Sequence, residues 1–188
     1  MVALTLDLTV RTVANPSSET SEVVEIDARP RKVGRTTLFY EVEFRDPASG
    51  ALTSVSHVTF VASPRPQDVM PPARPHARST SALDQPFADA LGARVRDAGV
   101  VEAELRPYVE QSTGSMQGGV IALLAEVAAE SLAGAPVLDL DLRYLSSVRA
   151  GPARAVAHAL DRVTSQVEIR DTGREDRLCA LAVVRTGG

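Results

Sequence analysis

Residues 114–132 read GSMQGGVIALLAEVAAESL and contain the only long helical pattern in the sequence. Alanine, leucine and glutamate, which favour helices, dominate this stretch. One side of the predicted helix is apolar, and the opposite side carries mostly small residues together with Glu126. A helix that is apolar or small nearly all round is usually buried, so the sequence predicts a central helix that stops at Gly134. Its apolar face is formed at helical spacing by Ile121, Leu124, Val127, Ala128 and Leu132.

Two glycines, Gly118 and Gly119, stand at the start of the predicted helix. The first backbone N–H groups of a helix have no partner inside it, and the positive end of the helix dipole lies there. Glycines leave these groups uncovered, which suits a carbonyl oxygen or an anion. Glu126 follows about two turns later. From the helix alone, Glu126 is either a functional carboxylate or one member of a solvated stripe with Glu130.

Composition limits the class of protein. The 188 residues are 44% hydrophobic and 23% charged, which is ordinary for a globular chain, and the net charge of −4 weighs against nucleic-acid binding. No signal pattern and no membrane-spanning apolar run occur, so we predict a cytoplasmic protein with no membrane partner. The single cysteine, Cys179, cannot form an internal disulfide and is predicted to be a small buried hydrophobe. The three histidines lie far apart, and we predict no metal site.

Short strand-like segments joined by tight turns occupy most of the remaining chain. This pattern predicts an antiparallel sheet. We also expect a short helix over residues 84–91, with Pro86 inside its first turn, and a loop over residues 107–114. The predicted strands cover residues 3–13, 23–33, 38–44, 52–61, one or two segments within 94–106, and then 137–145, 153–163, 165–170 and 177–185.

The sequence contains an internal repeat. Residues 4–8 (LTLDL) match residues 138–142 (LDLDL), and residues 42–46 (VEFRD) match residues 167–171 (VEIRD). Both copies contain four consecutive strands, but only the second has a preceding strand and the central helix. We therefore predict three parts: an incomplete four-stranded repeat over 1–62, a linker rich in proline and arginine over 63–82, and a complete domain over 83–188.

One strand, a long helix and four antiparallel strands are the elements, in order, of the hotdog fold. Residues 111–119 (QSTGSMQGG), Glu126 and residues 138–144 resemble the hotdog thioesterases of the phenylacetate-degradation and hydroxybenzoyl-CoA types. The resemblance covers about residues 87–185. It implies an α+β hotdog fold, in which an antiparallel sheet curls around one long central helix. The chain as a whole is then double-hotdog-like, with an incomplete first unit.

The resemblance also implies a reaction, the hydrolysis of an acyl-CoA thioester. Gln111 falls where the family places an amide that orients the attacking group, and Gly118 where a backbone N–H polarises the thioester carbonyl. Glu126 falls where the catalytic carboxylate acts, either as a general base on water or as a nucleophile. In this family the glycine and the acid that serve one site come from two different helices.

Further residues are implied for substrate binding. These are Gln117 and Gly119 beside the carbonyl, and Arg143 and Arg149 for the phosphates of coenzyme A. Coenzyme A is then part of the substrate, and no other cofactor is expected.

The chain departs from the family pattern at two places. Gln117 replaces the usual histidine, and Val137 and Glu130 stand where relatives carry a serine or threonine. The alternative function is therefore a non-catalytic module that binds acyl-CoA or an acyl carrier with a degenerate site.

The missing front of the first copy leaves three arrangements open. The chain is truncated at its N-terminus, or the first copy extends the sheet of the second, or two chains pair so that Gly118 and Glu126 of opposite chains meet. We expect one continuous sheet within the chain and, in addition, a homodimer or higher homo-oligomer.

Overall fold

A computed structural model describes residues 3–13, 23–62 and 84–187. The predicted linker over 63–82 lies outside the described residues. Neither described helix is long and apolar enough to cross a membrane. In chain order the elements are β1 (Ala3–Thr12), β2 (Glu25–Val33), β3 (Thr37–Arg45), β4 (Leu52–Ala62), α1 (Phe87–Leu91), β5 (Arg94–Asp97), β6 (Val100–Ala103), β7 (Glu110–Gln111), β8 (Ser115–Met116), α2 (Gly118–Ala133), β9 (Val137–Tyr144), β10 (Ala153–Ala159), β11 (Thr164–Asp171) and β12 (Arg177–Thr186).

Ten of these strands form one continuous sheet, as predicted. Its order is β2-β3-β4-β1-β9-β12-β11-β10-β6-β5. The two strands that carry the repeated LTLDL and LDLDL segments, β1 and β9, pair antiparallel at the middle, with Leu8 opposite Leu142. Outward from this seam the order is β4-β3-β2 on one side and β12-β11-β10 on the other. The repeat therefore appears as two strand sets of the same order, related by an approximate two-fold axis at the seam.

Helix α2 packs on one face of the second half of the sheet, against β6 and β9 to β12. Its buried positions are Val120, Ile121, Leu124, Ala125, Ala128 and Ala129. They share a core with side chains of the strands, including Leu142, Val167 and Ile169, which are fully buried. Gly134 adopts a left-handed conformation (φ 67°), and its N–H donates to the Glu130 carbonyl, so α2 ends where the sequence predicts. Cys179 is buried, also as predicted.

Three local features differ from the sequence prediction. Residues 107–114 are not all loop, because β7 and β8 form a small hairpin in which Gly114, with φ of 71°, donates its N–H to the Gln111 carbonyl. Helix α1 starts after Pro86, whose ψ of 144° is extended. Strand β10 ends at Ala159, since the Asp161 carboxylate accepts the Val163 and Thr164 N–H groups and forms a turn. Two-residue strands and side-chain turns leave little trace in a hydrophobic pattern.

Candidate functional site

The N-terminus of α2 exposes two unpaired backbone donors. Gln117 precedes the helix in an extended conformation, and its carbonyl accepts the N–H groups of Val120 and Ile121 at 3.1 and 3.2 Å. No residue in the described ranges accepts the N–H of Gly118 or Gly119. These groups lie at the positive end of the helix dipole, so the site presents hydrogen-bond donors to a carbonyl oxygen or an anion.

Tyr144, at the end of β9, holds this helix terminus in place. Its hydroxyl donates to the Gly118 carbonyl at 2.8 Å. A Cβ at residue 118 would lie 3.3 to 3.5 Å from the Tyr144 ring and hydroxyl, whereas a Cβ at Gly119 would meet nothing within 4 Å. Burial raises the pKa of the Tyr144 hydroxyl, which therefore stays protonated and remains a donor. The tight approach of the tyrosine favours glycine at residue 118.

A cleft of about 250 Å³ opens beside the helix terminus. Its walls come from the start of α2, the end of β9, the loop that follows β9 and two strands of the first half, β1 and β4. Mostly apolar walls with a few polar groups are typical of small-molecule sites. The lining residues are Leu4, Thr5, Leu6, Val61, Gln111, Met116, Gly118, Ile121, Tyr144, Leu145, Ser146, Ser147 and Val148.

Two of the predicted site residues, Gln111 and Gly118, thus line the same cleft. The Gln111 amide nitrogen donates to the buried Ser115 hydroxyl at 2.8 Å, and this hydroxyl also lies 2.9 Å from the Thr113 hydroxyl. These contacts fix the amide plane of Gln111. Its carbonyl oxygen has no partner in the described residues and can accept a hydrogen bond from a bound molecule.

Glu126 does not line this cleft. It lies eight residues after Gly118 on the same helix, which corresponds to a rise of about 12 Å. The side chain is half-buried, and its pKa is raised by burial and then by the neighbouring charge of Glu130. Glu130 is also structural, because its carboxylate accepts the Val137 N–H at 3.0 Å at the start of β9. One α2 helix therefore cannot bring Gly118 and Glu126 to the same thioester.

The other predicted substrate-binding residues lie outside the cleft. Gln117 is exposed, and its amide donates to the Glu110 carbonyl at 3.3 Å. Gly119 is exposed beside the helix terminus. Arg143 is exposed on β9 and forms an ion pair with Asp141 at 2.6 Å. Arg149 is exposed near the cleft rim.

A buried carboxylate that the sequence analysis did not single out supports the cleft wall. Asp171 is fully buried and accepts the N–H groups of Arg149, Ala150 and Gly151 at 2.8, 3.1 and 2.8 Å. Burial alone raises its pKa, but the three backbone hydrogen bonds outweigh burial and lower the pKa. Asp171 thereby fixes the loop whose earlier residues line the cleft. The repeated segments VEFRD and VEIRD both end in aspartate, but the two carboxylates act differently, since Asp46 accepts N–H groups of its own turn.

Comparison with known proteins identifies the fold. The sequence matches no protein-family model and no curated protein. Among solved structures, it is similar to the 12:0-ACP thioesterase from Umbellularia californica, with 10% identity and a TM-score of 0.65 over 98% of this chain and 74% of that one. A protein from Alicyclobacillus acidocaldarius described as having a hot dog fold gives 14% identity and a TM-score of 0.52 over 100% and 80%. The chain has the hotdog fold.

A further similar solved structure is an acyl-CoA thioesterase II, TesB2, from Mycobacterium marinum. It shares 13% identity and a TM-score of 0.53 over 98% of this chain and 81% of that one. At such identities the likeness establishes the fold.

Proposed function

We propose that this hotdog protein hydrolyses an acyl thioester in the cleft at the N-terminus of α2. The observation that carries the proposal is the pair of unpaired N–H groups of Gly118 and Gly119 beside a cleft with apolar walls. A thioester has a carbonyl oxygen that accepts such hydrogen bonds and an acyl chain that suits apolar walls.

The chemistry follows from these positions. Water attacks the thioester carbon, the carbonyl oxygen gains negative charge, and the Gly118 N–H and the helix dipole stabilise that charge. The carbon–sulfur bond then breaks, and the thiol leaves with a proton. Gln111, held by Ser115, is placed in the cleft to orient the attacking water through its free carbonyl oxygen. A carboxylate accepts the proton of the water.

The source of that carboxylate is constrained by the rise of the helix. In the hotdog thioesterases that the sequence resembles, the acid and the glycine of one site come from two helices. The roughly 12 Å between Gly118 and Glu126 on α2 agrees with such an arrangement. Glu126, with its raised pKa, is then the acid for a site formed with a second helix terminus. The described residues contain no second helix of this length. We also propose that β1 to β4 are the strands of a second hotdog unit.

The substrate class is an acyl group carried on coenzyme A or on an acyl carrier protein. Solved structures with this fold include enzymes named for each of the two carriers. Arg149 is the better placed of the two predicted phosphate ligands, because it follows directly on the cleft residues Ser147 and Val148 and its guanidinium reaches the Thr113 carbonyl at 3.2 Å. Arg143 would first have to leave Asp141.

A second candidate function is binding of an acyl-CoA or acyl carrier without hydrolysis. The observation in its favour is the separation of Gly118 from Glu126, which leaves the cleft with N–H donors and Gln111 but no carboxylate among its lining residues. Such a cleft can hold a thioester without activating water.

The test is hydrolysis of short, long and aromatic acyl-CoAs and of an acyl carrier protein thioester, followed with a thiol-trapping reagent. We expect turnover that falls at least about 100-fold in Glu126→Gln, the usual loss for an acid/base group. Turnover that is unchanged by the substitution would keep the thioesterase and remove Glu126 from the mechanism. Saturable acyl-CoA binding without turnover would establish the binding module instead.

A further inference from the structure

A second cavity, called here the C-terminal cavity, lies at the end of α2 that is remote from Gly118. It has a volume of about 260 Å³ and is bounded by the last turn of α2, the turn that joins β10 to β11, and the ends of β11 and β12. From Gly118 to the end of α2 the helix rises about 22 Å, and the two cavities share no lining residue. Its walls include Leu132, Ala133, Ala159, Val163, Ser165 and Thr186.

Small side chains leave this space open. The side of β10 that faces α2 carries alanine at every position, namely Ala153, Ala155, Ala157 and Ala159. The first three are buried in the core, but Ala159 is exposed, and so is Ala133 in the last turn of α2. Protein interiors are normally close-packed, and alanines on both facing elements supply too few atoms to fill the gap. The cavity therefore opens to solvent at Ala133 and Ala159.

One buried hydroxyl at the cavity has no partner. Ser165 lies opposite Ala159 on β10 and Val184 on β12, so these three side chains share the sheet face on which α2 packs. Ser165 is only 7% exposed, and among the buried side-chain polar atoms of residues 3–13, 23–62 and 84–187 its hydroxyl alone lacks a hydrogen bond. Thr186, in the same wall, donates its hydroxyl to the Val163 carbonyl at 3.3 Å. An unpaired buried hydroxyl is costly, and a molecule bound in the cavity would supply its missing partner.

Charge is confined to the mouth of the cavity. Asp161 and Arg162 line it there, and both are exposed. The Val163 and Thr164 N–H groups donate to the Asp161 carboxylate, which lowers its pKa and keeps it ionised. The two charges are opposite, so the mouth selects neither an anion nor a cation. No ionisable side chain lines the inner part, where a charged group would lose its hydration without a partner.

We propose that the C-terminal cavity binds a small neutral aliphatic molecule that carries one hydroxyl or carbonyl oxygen. The aliphatic part lies against Leu132, Ala133 and Ala159, and the oxygen forms a hydrogen bond with the Ser165 hydroxyl. The volume suffices, since an apolar cavity of about 150 Å³ can hold benzene. This binding site is separate from the cleft in which hydrolysis is proposed.

The probe for the test is hexan-1-ol, with hexanoate and hexylamine as charged analogues of the same chain length. Each is titrated into the 188-residue chain and followed by two-dimensional NMR, which gives both the Kd and the residues affected. We expect saturable one-to-one binding of hexan-1-ol that shifts the amide signals of residues 129–133 and 159–165. Both charged analogues should bind at least about tenfold more weakly, because their head groups lose hydration in the cavity.

Two variants and a matched control locate the site. Ala159→Leu fills the cavity and should weaken hexan-1-ol binding at least about tenfold. His158→Leu adds the same side chain at the neighbouring position, on the opposite face of β10, and should leave the Kd unchanged. Ser165→Ala keeps the space but removes the hydroxyl, and it should weaken binding at least about threefold. Circular dichroism checks that all three variants fold.

Four results would overturn the proposal. These are no saturable binding of hexan-1-ol below about 10 mM, an unchanged Kd in Ala159→Leu or in Ser165→Ala, a charged analogue that binds as tightly as the alcohol, and shifts confined to the cleft at Gly118. None of these readouts depends on thioesterase activity, so failure of this proposal and failure of the proposed hydrolysis are distinguishable.

Discussion

At the scale of single residues, the site depends on one close contact. Tyr144 tethers the Gly118 carbonyl and would lie 3.3 to 3.5 Å from a Cβ at that position, so it would have to shift slightly, while the adjacent Gly119 faces open space. The two neighbouring glycines therefore have different reasons to be glycine. Gly118 accommodates the tyrosine, and Gly119 leaves the helix terminus uncovered.

The first prediction compares alanine at these two glycines. Gly118→Ala should push Tyr144 away from the helix terminus and weaken its hydrogen bond, which lowers kcat at least about tenfold if the Gly118 N–H stabilises the oxyanion. Gly119→Ala should keep the free energy of unfolding of the parent or raise it by up to about 1 kcal/mol, since alanine favours helices. Acyl-CoA kinetics and urea unfolding measure the two effects. Equal kcat values for the two variants would contradict the role given to Gly118.

The second prediction concerns Asp171. Its folded pKa is lowered, so its contribution to stability is present at neutral pH and is lost as pH falls through that pKa. Asp171→Asn should destabilise the protein at pH 7 by about 1 to 3 kcal/mol, because at least one buried N–H loses its acceptor. The variant should also lose stability less steeply below about pH 4.

Urea unfolding at several pH values measures both effects, and Asp176→Asn is the control because that carboxylate is exposed. An Asp171→Asn protein as stable as the control at neutral pH would show that the loop does not depend on the carboxylate.

At the scale of elements, α2 combines two functions along its length. Its N-terminus presents open N–H groups, and its middle carries the half-buried Glu126 one turn before Glu130. Burial is the larger cause of the raised Glu126 pKa, and the Glu130 charge is the smaller one. Glu130 can lose its charge without losing its structural contact, since glutamine also has a carbonyl oxygen for the Val137 N–H.

The third prediction uses this property. Glu130→Gln should lower the pKa of Glu126 towards its ordinary value without restoring it fully, because burial remains. If Glu126 acts as a base, the acidic limb of the kcat/KM profile moves to lower pH in the variant. Titration of the Glu126 carboxyl by NMR gives the same shift independently of turnover. An unchanged titration would show that the two carboxylates are not coupled, and a moved NMR titration with an unmoved rate profile would remove Glu126 from catalysis.

At the scale of the whole molecule, ten strands form a single sheet, and α2 packs on only one half of it. Both halves have the same strand order about the β1–β9 seam. The second half has α2 on its face and a buried core, whereas β2 is mostly exposed and β3 is half-buried throughout. Local stability follows buried apolar contact, so the halves should differ in how readily they open.

The fourth prediction is a gradient of hydrogen exchange in the chain alone. Amides of β11 and β12 should exchange at least about tenfold more slowly than those of β2 and β3, because their opening exposes the core under α2. Mass spectrometry of peptic fragments resolves the strands. The repeat supplies the control, since residues 42–46 and 167–171 have nearly the same sequence and similar intrinsic exchange rates. Equal protection of these two segments would mean that the first half is covered in solution.

The sequence by itself determined the helix of α2, the main strands to within a few residues and the repeat, because periodicity, glycine and proline act locally and the repeat is visible in the letters. The hotdog fold was implied by the resemblance of residues 111–119, Glu126 and residues 138–144 to a known family. It also selected Gln111 and Gly118, which share a cleft. Tertiary structure alone decided that Tyr144 closes on Gly118, that Asp171 fixes the cleft loop and that Glu126 lies away from the cleft. The first two facts depend on contacts between residues 20 or more positions apart, which spacing does not encode. The third depends on where the cleft lies, because spacing gives the rise from Gly118 to Glu126 but not the position of the cleft walls. The difference in burial between β3 and β11 belongs to the same class, since the segments VEFRD and VEIRD are nearly identical in sequence.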